Sequence, residues 1–319
     1  MHWRFGLHLN TNINSIDDYV INPQVRVNLT PRSSAVEFLR NQPPAFRTAG
    51  LVDAFFPGYN AIAGLEAIYG TDPIINPFYR QLLTAAGVKL VWSWRWVVEK
   101  TNFNSTLPVY SLLNVRYFLD ARDGSASPPL PLNLVQSLDL KIYENPSYWP
   151  RAFFSSSVST YQTAEDFVSM VRRGNGKPFA AVQRNDEGAV SQPLVNQTAI
   201  AERKIVPARD YFLTSNTTSF TIDAPGRGVV VLTEAFLAAD FVARINGARA
   251  KYFRVNHAFR GIRVPGPGIY RISYSYWPRY FGISLWMAAA GAALLDGWLI
   301  LALRKKDAGA ALAGQRAHG

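Results

Sequence analysis

Few residues in this chain have the types and the spacing that catalysis or metal binding requires. Asp17-Asp18 and Asp186-Glu187 are adjacent acidic pairs that a divalent cation can use, although such pairs in polar turns are more often simply solvated. We favour the solvated interpretation. The four histidines are scattered without metal-ligand spacing: His2, His8, His257 and His318. The sequence also lacks a nucleophile elbow, a phosphate-binding loop and a dinucleotide fingerprint. We therefore predict no catalytic residue, metal site or cofactor.

Aromatic side chains give the clearest candidate for ligand binding. Residues 88–99 (VKLVWSWRWVVE) alternate between apolar and polar, which predicts one β-strand with Trp92, Trp94 and Trp96 on the same face. Three tryptophans on one face of a strand can stack against a sugar, anchor a protein at a bilayer surface, or pack in a core. We favour core packing, because the opposite face of the strand is polar enough to meet solvent.

The most unusual ionisable residue, Asp296, lies in an otherwise apolar stretch at residues 280–303. Twenty-four helical residues span about 36 Å, which is enough to cross a bilayer, and we predict one transmembrane helix here. A carboxylate inside a membrane is a functional candidate, but it can also pair with a neighbouring helix or reach the membrane surface. The small residues Ala288 and Ala292 have the spacing that lets another transmembrane helix approach closely, so we expect such packing.

Charge predicts the orientation of that helix. Arg304-Lys305-Lys306 follows it directly, and basic clusters beside a membrane helix stay in the cytoplasm. The residues before position 280 are then extracytoplasmic, and the C-terminus is cytoplasmic. The chain has 319 residues and a net charge of +11; four cations and two acids follow residue 280, which leaves +9 on residues 1–279.

A basic domain beside a bilayer can lie against anionic headgroups or bind phosphorylated lipids, and a mixed, solvated surface is the alternative. We expect a lipid bilayer as a partner and no nucleic acid. The absence of cysteine is compatible with an oxidising compartment.

The pattern along the chain predicts an α+β fold. Residues 1–29 form an extended lead-in, and residues 30–175 mix short helices with strands. Residues 176–279 carry short strand-like runs about every ten residues with glycine-rich turns between them, which predicts an antiparallel β-sandwich. The transmembrane helix at 280–303 and a cytoplasmic tail at 304–319 complete the predicted organisation.

Several short motifs, in order, resemble the C-terminal end of the YfhO-like bacterial membrane proteins, members of the GT-C class of polytopic glycosyltransferases. In the second half the matching positions are Glu234, Phe241, Asn246-Gly247, Asn256, Arg260-Gly261, Val264-Pro265, Gly268 and Tyr276-Trp277-Pro278. In the first half they are Pro57-Gly58-Tyr59-Asn60, Leu113-Asn114-Val115-Arg116-Tyr117, Glu144-Asn145 and Pro150-Arg151-Ala152. Phe241 stands where the family usually has Trp, and Asn246 where it usually has Asp.

The resemblance implies transfer of a sugar from a polyprenyl-phosphate carrier to a cell-envelope acceptor at the bacterial cell membrane. It implies that catalytic acids lie on an early extracytoplasmic loop that this chain does not contain, so no catalytic residue is carried over. Phe241 and Asn246 join Trp92, Trp94 and Trp96 as candidate substrate-binding residues.

Two functions therefore compete. One is the exported portion of a glycosyltransferase-like protein that recognises an acceptor or lipid-linked sugar. The other is a self-standing, membrane-anchored binding module for envelope polysaccharide.

Overall fold

The fold is mixed α+β, as the sequence predicts, and it ends in one long apolar helix. The computed structural model describes residues 33–52, 54–55, 58–68, 76–91, 95–122, 131–174, 176–189 and 203–316. The predicted lead-in at residues 1–29 lies outside these ranges. Two compact units are present: residues 1–237 with 243–274, and residues 238–242 with 275–319.

The described residues form six α-helices: α1 Ser34–Arg40, α2 Tyr59–Ala63, α3 Pro77–Ala85, α4 Phe103–Leu112, α5 Ala164–Arg173 and α6 Phe281–Arg316. Local sequence explains several of their starts. The Thr163 hydroxyl accepts from the Asp166 N–H while the Asp166 carboxylate accepts from the Thr163 N–H, and the two bonds together form a capping box. At α3, Asn76 caps the helix and Pro77 fits its first turn, where no N–H is needed.

The first half of the chain builds a four-stranded sheet of order β1-β4-β6-β5. Its strands are β1 Arg47–Gly50, β4 Val115–Ala121, β5 Asn133–Ser137 and β6 Leu140–Glu144. β1 and β4 are parallel, and the other two pairings are antiparallel.

Two five-stranded sheets dominate the rest of the described chain. One has the order β10-β7-β13-β17-β16 and the other β11-β12-β18-β14-β15. Their strands are β7 Ala152–Ser155, β10 Ile205–Pro207, β11 Arg209–Leu213, β12 Thr217–Ala224, β13 Gly228–Ala235, β14 Phe241–Ile245, β15 Ala248–Ala250, β16 Tyr252–Val255, β17 Phe259–Val264 and β18 Gly268–Tyr276. The pairings of β7 with β10 and β13, and of β17 with β13 and β16, are antiparallel. The sandwich arrangement of residues 176–279 stays a prediction.

Strands from both sides of residue 175 pair with each other. β7 lies beside β13, and β8 (Val158–Tyr161) runs parallel to β9 (Ala180–Gln183). A 3₁₀ helix follows at Arg184–Ala189. The predicted division of the chain at residue 175 stays a prediction.

Residues 88–99 are the clearest departure from the predicted elements. They form two strands, β2 Lys89–Val91 and β3 Arg95–Val97, which pair antiparallel in register Val91 with Arg95. The prediction of one continuous strand is therefore wrong. Alternation alone cannot distinguish a single strand from two strands that pair with each other, because each strand of the pair alternates with the same period of two.

Among the described residues, buried apolar side chains form a larger and a smaller cluster around the helices of the larger unit. The larger cluster joins α3, α4 and α5 to β4, β9 and the two strands β13 and β16. A smaller cluster packs α1 against β4 and β6, with Leu39, Tyr117 and Ile142 buried between them.

Helix α6 contains a segment, Phe281–Leu301, that is long and apolar enough to cross a membrane, with a mean hydropathy of 1.6 and none of it buried. This segment overlaps the predicted span at residues 280–303. It belongs to the smaller unit together with residues 238–242.

Candidate functional site

Of the predicted tryptophan group, only Trp96 lies within the described residues; Trp92 and Trp94 lie outside them. Trp96 is 4% exposed and belongs to the larger hydrophobic cluster. This is the environment that the core-packing interpretation expects for it. A ring this deeply covered has no free face on which a sugar could stack.

Phe241 and Asn246 lie at the two ends of strand β14, which belongs to a different sheet from the strand that carries Trp96. The Phe241 ring packs against Tyr276 with a centroid distance of 5.3 Å. Asn246 has a φ of 49°, forms the two-residue turn with Gly247 between β14 and β15, and its Oδ1 accepts from the Arg271 N–H at 2.8 Å. The side chain of Asn246 thus maintains a hairpin turn.

The most concentrated charge in the described chain is a group of five side chains, here called the arginine–glutamate cluster: Arg47, Arg151, Arg260, Glu66 and Glu234. Arg151 Nη2 contacts Glu234 Oε1 at 2.9 Å, and Arg151 Nη1 contacts Glu66 Oε2 at 2.5 Å. Arg260 Nη2 contacts the other oxygen of Glu234. The side chains of Arg151 and Arg260 are 5% and 4% exposed, so these pairs are largely removed from solvent.

Burial and neighbouring charges shift the pKa values of residues in this cluster. Burial raises the pKa of Glu234, but the charges of Arg151 and Arg260 outweigh that effect and lower the pKa to about 2. Burial, and then the charge of Arg151, lower the pKa of Arg47 to about 10. With three arginines and two glutamates ionised, the cluster carries a net charge of +1.

The cluster joins all three larger sheets. Arg47 belongs to β1, Glu234 and Arg260 belong to the neighbouring strands β13 and β17, and the Thr218 hydroxyl of β12 donates to Glu234 at 2.9 Å. Arg260 also lies 5.0 Å above the Tyr274 ring of β18. These bonds use the carboxylate oxygens of Glu234 internally, so the cluster is a cross-link between sheets.

A second group of buried polar side chains surrounds His257, which is 2% exposed. Its Nδ1 is 3.3 Å from the Tyr161 hydroxyl and its Nε2 is 3.2 Å from Gln81 Oε1, while its ring stacks on Phe167. Burial, followed by the charge of Arg254, lowers the pKa of His257 to about 4, so the ring is neutral at pH 7. Both ring nitrogens are engaged within the fold.

An open cleft of about 430 Å³ lies beside α4 and the end of α5. Its volume is within the range of small-molecule sites. Its lining residues combine small polar groups, apolar surface and one cation: Asn104, Leu107, Pro108, Ser111, Pro131, Ser147, Arg172 and Gly176. Arg172 donates to the carbonyl of Ser105 at 3.1 Å and to that of Ala86 at 2.9 Å, which holds its guanidinium at the cleft wall.

A buried amide network supports one wall of this cleft. Asn145 Nδ2 donates to Ser111 Oγ and to the Val115 carbonyl, both at 3.0 Å, and Asn114 Nδ2 donates to the Trp149 carbonyl at 2.8 Å. Asn114 adopts a φ of 63°, a left-handed conformation that asparagine tolerates better than most residues. These contacts fix the end of α4 against the turn that carries Ser147.

Sequence reasoning missed the cleft because its residues come from four separated segments that no motif connects. It did register Asn114, Asn145, Arg151, Glu234 and Arg260 as parts of short motifs. The structure places these five residues in the amide network and in the arginine–glutamate cluster, which are internal contacts of the fold.

The segment that leads into helix α6, here called the junction, is aromatic and basic and consists of residues 276–281 together with Asp240. The Arg279 N–H donates to Asp240 Oδ1 at 3.0 Å, and the Trp277 N–H donates to the Asp240 carbonyl at 2.8 Å. The side chain of Trp277 is 50% exposed and that of Tyr280 is 62% exposed. Arg279 lies 5.2 Å from the Tyr280 ring centroid.

Comparisons with known proteins identify no relative: no family model, no curated protein and no solved structure matches this chain. Among the described residues, no three histidine, aspartate or glutamate side chains converge in a way that could hold a metal ion. What the fold and the sites define is a mixed α+β protein with a ligand-sized cleft and one helix able to cross a bilayer.

Proposed function

We propose that this chain is a membrane-anchored recognition module that binds an acceptor glycan or a lipid-linked sugar during modification of the bacterial cell envelope. In this proposal it forms the extracytoplasmic, C-terminal portion of a YfhO-like, glycosyltransferase-like protein. The observation that carries the proposal is the cleft beside α4 and α5, in the same chain as an apolar helix of membrane-spanning length.

The chemistry of the cleft lining matches a phosphorylated sugar. The Asn104 amide and the Ser147 hydroxyl belong to exposed residues and can bond sugar hydroxyls, while Pro108 and Pro131 offer apolar surface to the C–H face of a sugar ring. The Arg172 guanidinium adds the cation that a phosphate requires.

The junction supports the membrane part of the proposal. Aromatic residues with one polar end favour the headgroup level of a bilayer, and Trp277 and Tyr280 stand at the start of the apolar segment. Trp298 lies near its other end, shortly before Arg304-Lys305-Lys306. This arrangement supports an extracytoplasmic domain and a cytoplasmic tail.

The test is ligand binding by the full chain in lipid nanodiscs, with a short-chain polyprenyl-phosphate sugar as the probe and native mass spectrometry as the readout. We expect the parent chain to bind the probe, Asn104→Ala to weaken binding severalfold, and Arg172→Gln to weaken it by about tenfold or more, since a charge-assisted hydrogen bond is lost. Thermal unfolding of each variant checks that the fold survives.

Arg173→Gln is the matched control, because Arg173 is the exposed neighbour of Arg172 and its Nε bonds only its own helix at Ser169. Equal losses in the two arginine variants, or no binding by the parent, would contradict the proposal.

The self-standing module is tested separately by tagging the gene at its 3′ end in its native chromosome. A product of about 35.5 kDa supports a self-standing module, and a much larger product supports a portion of a longer protein.

A further inference from the structure

All the charged residues in the stretch that leads into the apolar helix are basic. Between residues 241 and 295 there are eight arginines and lysines and no aspartate or glutamate. Arg254 and Arg260 of this stretch are paired with the acids Asp186 and Glu234 inside the fold. The remaining cations include Arg244, Arg249 and Arg271, which are exposed on three strands of one sheet.

These three arginines lie on adjacent strands, because β14 stands between β15 and β18 in the sheet order. Arg244 of β14 is directly opposite Arg249 of β15 in the antiparallel register. Asn246 exchanges hydrogen bonds with Arg271 of β18, so Arg271 is opposite Asn246 and diagonal to Arg244. Strands in a sheet are about 4.8 Å apart, which places the three arginines within one small area.

All three arginines belong to the same face of the sheet. Side chains alternate along a strand, and the neighbours Ala243 and Ile272 are buried at 3% and 0% exposure on the opposite face. Arg244 Nη1 donates to the Gly247 carbonyl at 2.9 Å, which keeps its guanidinium near the turn. We call this surface the arginine face.

Like charges directly opposite each other in an antiparallel pair destabilise a sheet. Within the described residues, no carboxylate forms an ion pair with Arg244, Arg249 or Arg271. An anion from outside the fold would relieve this repulsion. On β14, β15 and β18 the charged side chains are all arginines, whereas an ordinary solvated surface intersperses both signs of charge.

We propose that the arginine face binds the anionic headgroups of phospholipids in the membrane that anchors the chain. Three cations on the exposed face of a sheet match a plane of headgroups, whereas a single phosphorylated ligand favours a concave site. β18 ends at Tyr276 and α6 begins at Phe281, so only four residues of chain separate this sheet from the apolar helix. The inference rests on the membrane anchoring in the proposed function, but not on the cleft or its ligand.

The absence of native cysteine allows a direct test in the full chain. Ser273→Cys places a single label on the arginine face, because Ser273 alternates with the buried Ile272 and Tyr274. The labelled chain is reconstituted in nanodiscs that contain a lipid with a nitroxide quencher on its headgroup. We expect quenching at least threefold stronger in discs with about one third phosphatidylglycerol than in discs of phosphatidylcholine alone, with relief at about 0.5 M salt, where charges are screened within a few ångströms.

The decisive variant replaces Arg244, Arg249 and Arg271 by glutamine, and we expect it to lose the extra quenching. The control replaces three exposed cations elsewhere, Arg122, Arg173 and Lys177, by glutamine, and so removes the same total charge. It should retain the extra quenching. Equal quenching in both disc types, or equal loss in both triple variants, overturns the proposal.

Inorganic phosphate separates the two sources of the anion. If about 10 mM phosphate abolishes the extra quenching at constant ionic strength, the face binds free phosphate and the lipid assignment is wrong. If the quenching persists, the lipid assignment stands. A chain that shows the quenching but does not bind the polyprenyl-phosphate sugar retains this inference and loses the proposed function.

Discussion

Glu234 is the carboxylate of the arginine–glutamate cluster on which two arginines and a threonine hydroxyl converge. It accepts bonds from Arg151, Arg260 and Thr218, which come from three different strands or their edges. Its side chain is 14% exposed, so solvent cannot replace these partners. Removing one partner from a buried ion pair is costly because the other charge stays buried.

We predict that Glu234→Gln lowers the free energy of unfolding by about 3–5 kcal/mol. Thermal or denaturant unfolding of the full chain in detergent measures this. Glu99→Gln is the control: Glu99 pairs with Lys89 at 2.8 Å, but the Lys89 side chain is 57% exposed, so the loss should stay below about 1 kcal/mol. Equal losses would mean that the cluster contributes no more than a surface pair.

The same residue sets a pH dependence. Because the folded-state pKa of Glu234, about 2, lies below its ordinary value of 4.5, ionised Glu234 stabilises the fold at pH above 4.5. This contribution, about 3 kcal/mol, is lost as the pH falls from 4.5 towards 2. In Glu234→Gln the slope of stability against pH in this window should become shallower; an unchanged slope would show that other acids dominate it.

At the scale of single residues, the short motifs of the sequence include Arg151, Glu234 and Arg260 but do not show the contacts that these residues make. Arg151, Glu234 and Arg260 stood out in motifs, yet they are up to 109 positions apart and nothing in their spacing shows that they meet. Only the pairing of β7 with β13 and of β13 with β17 brings them together. The role of Trp92 and Trp94 stays a prediction.

At the scale of elements, sequence patterns predicted the strands of the second half well. Residues 241–245, 252–255 and 259–264 form strands within the region where short strand-like runs separated by glycine-rich turns are predicted. The sequence pattern does not predict helix α4, because Pro108 lies in the middle of this segment. The helix tolerates Pro108 because the missing N–H leaves only the carbonyl of Asn104 without its helical hydrogen bond, and Asn104 is an exposed residue in the first turn. The parallel pairs β1–β4 and β8–β9 join distant segments, which local patterns do not reveal.

Strand β3 supplies a prediction at this scale. Trp96→Ala should lower the free energy of unfolding by about 3–5 kcal/mol, because a buried indole is replaced by a cavity. Trp277→Ala is the matched control, since the Trp277 side chain is 50% exposed and its loss leaves no cavity in the core. Denaturant unfolding compares the two, and an undisturbed Trp96→Ala variant would mean that the β2–β3 hairpin is not part of the folding core.

A further prediction at this scale concerns the membrane insertion of helix α6. One added charge near the centre of a membrane helix costs about 3 kcal/mol, so Leu294→Arg should release much of the chain from membranes, while Asp296→Leu should improve its insertion. Alkaline extraction of membranes, followed by blotting, measures the inserted fraction. If both variants partition like the parent chain, the apolar segment of α6 does not span the bilayer.

At the scale of the whole molecule, the proposed function requires a β-rich domain that recognises a ligand and a helix that holds this domain at a membrane. The domain carries most of the positive charge, and the arginine face on β14, β15 and β18 lies in the part of the chain that directly precedes the helix. The arginine face can meet anionic headgroups on either side of the membrane, but recognition of an envelope glycan requires that the domain stand on the extracytoplasmic side.

Orientation is therefore the central claim, and cysteine labelling in intact cells tests it most directly. One variant carries Ala248→Cys in the exposed end of the β14–β15 hairpin, and another carries Ala313→Cys in the tail. With a membrane-impermeant maleimide, we predict that Cys at 248 is labelled in intact cells and that Cys at 313 is labelled only after the membrane is permeabilised. Labelling of the tail but not of the domain in intact cells would contradict the account.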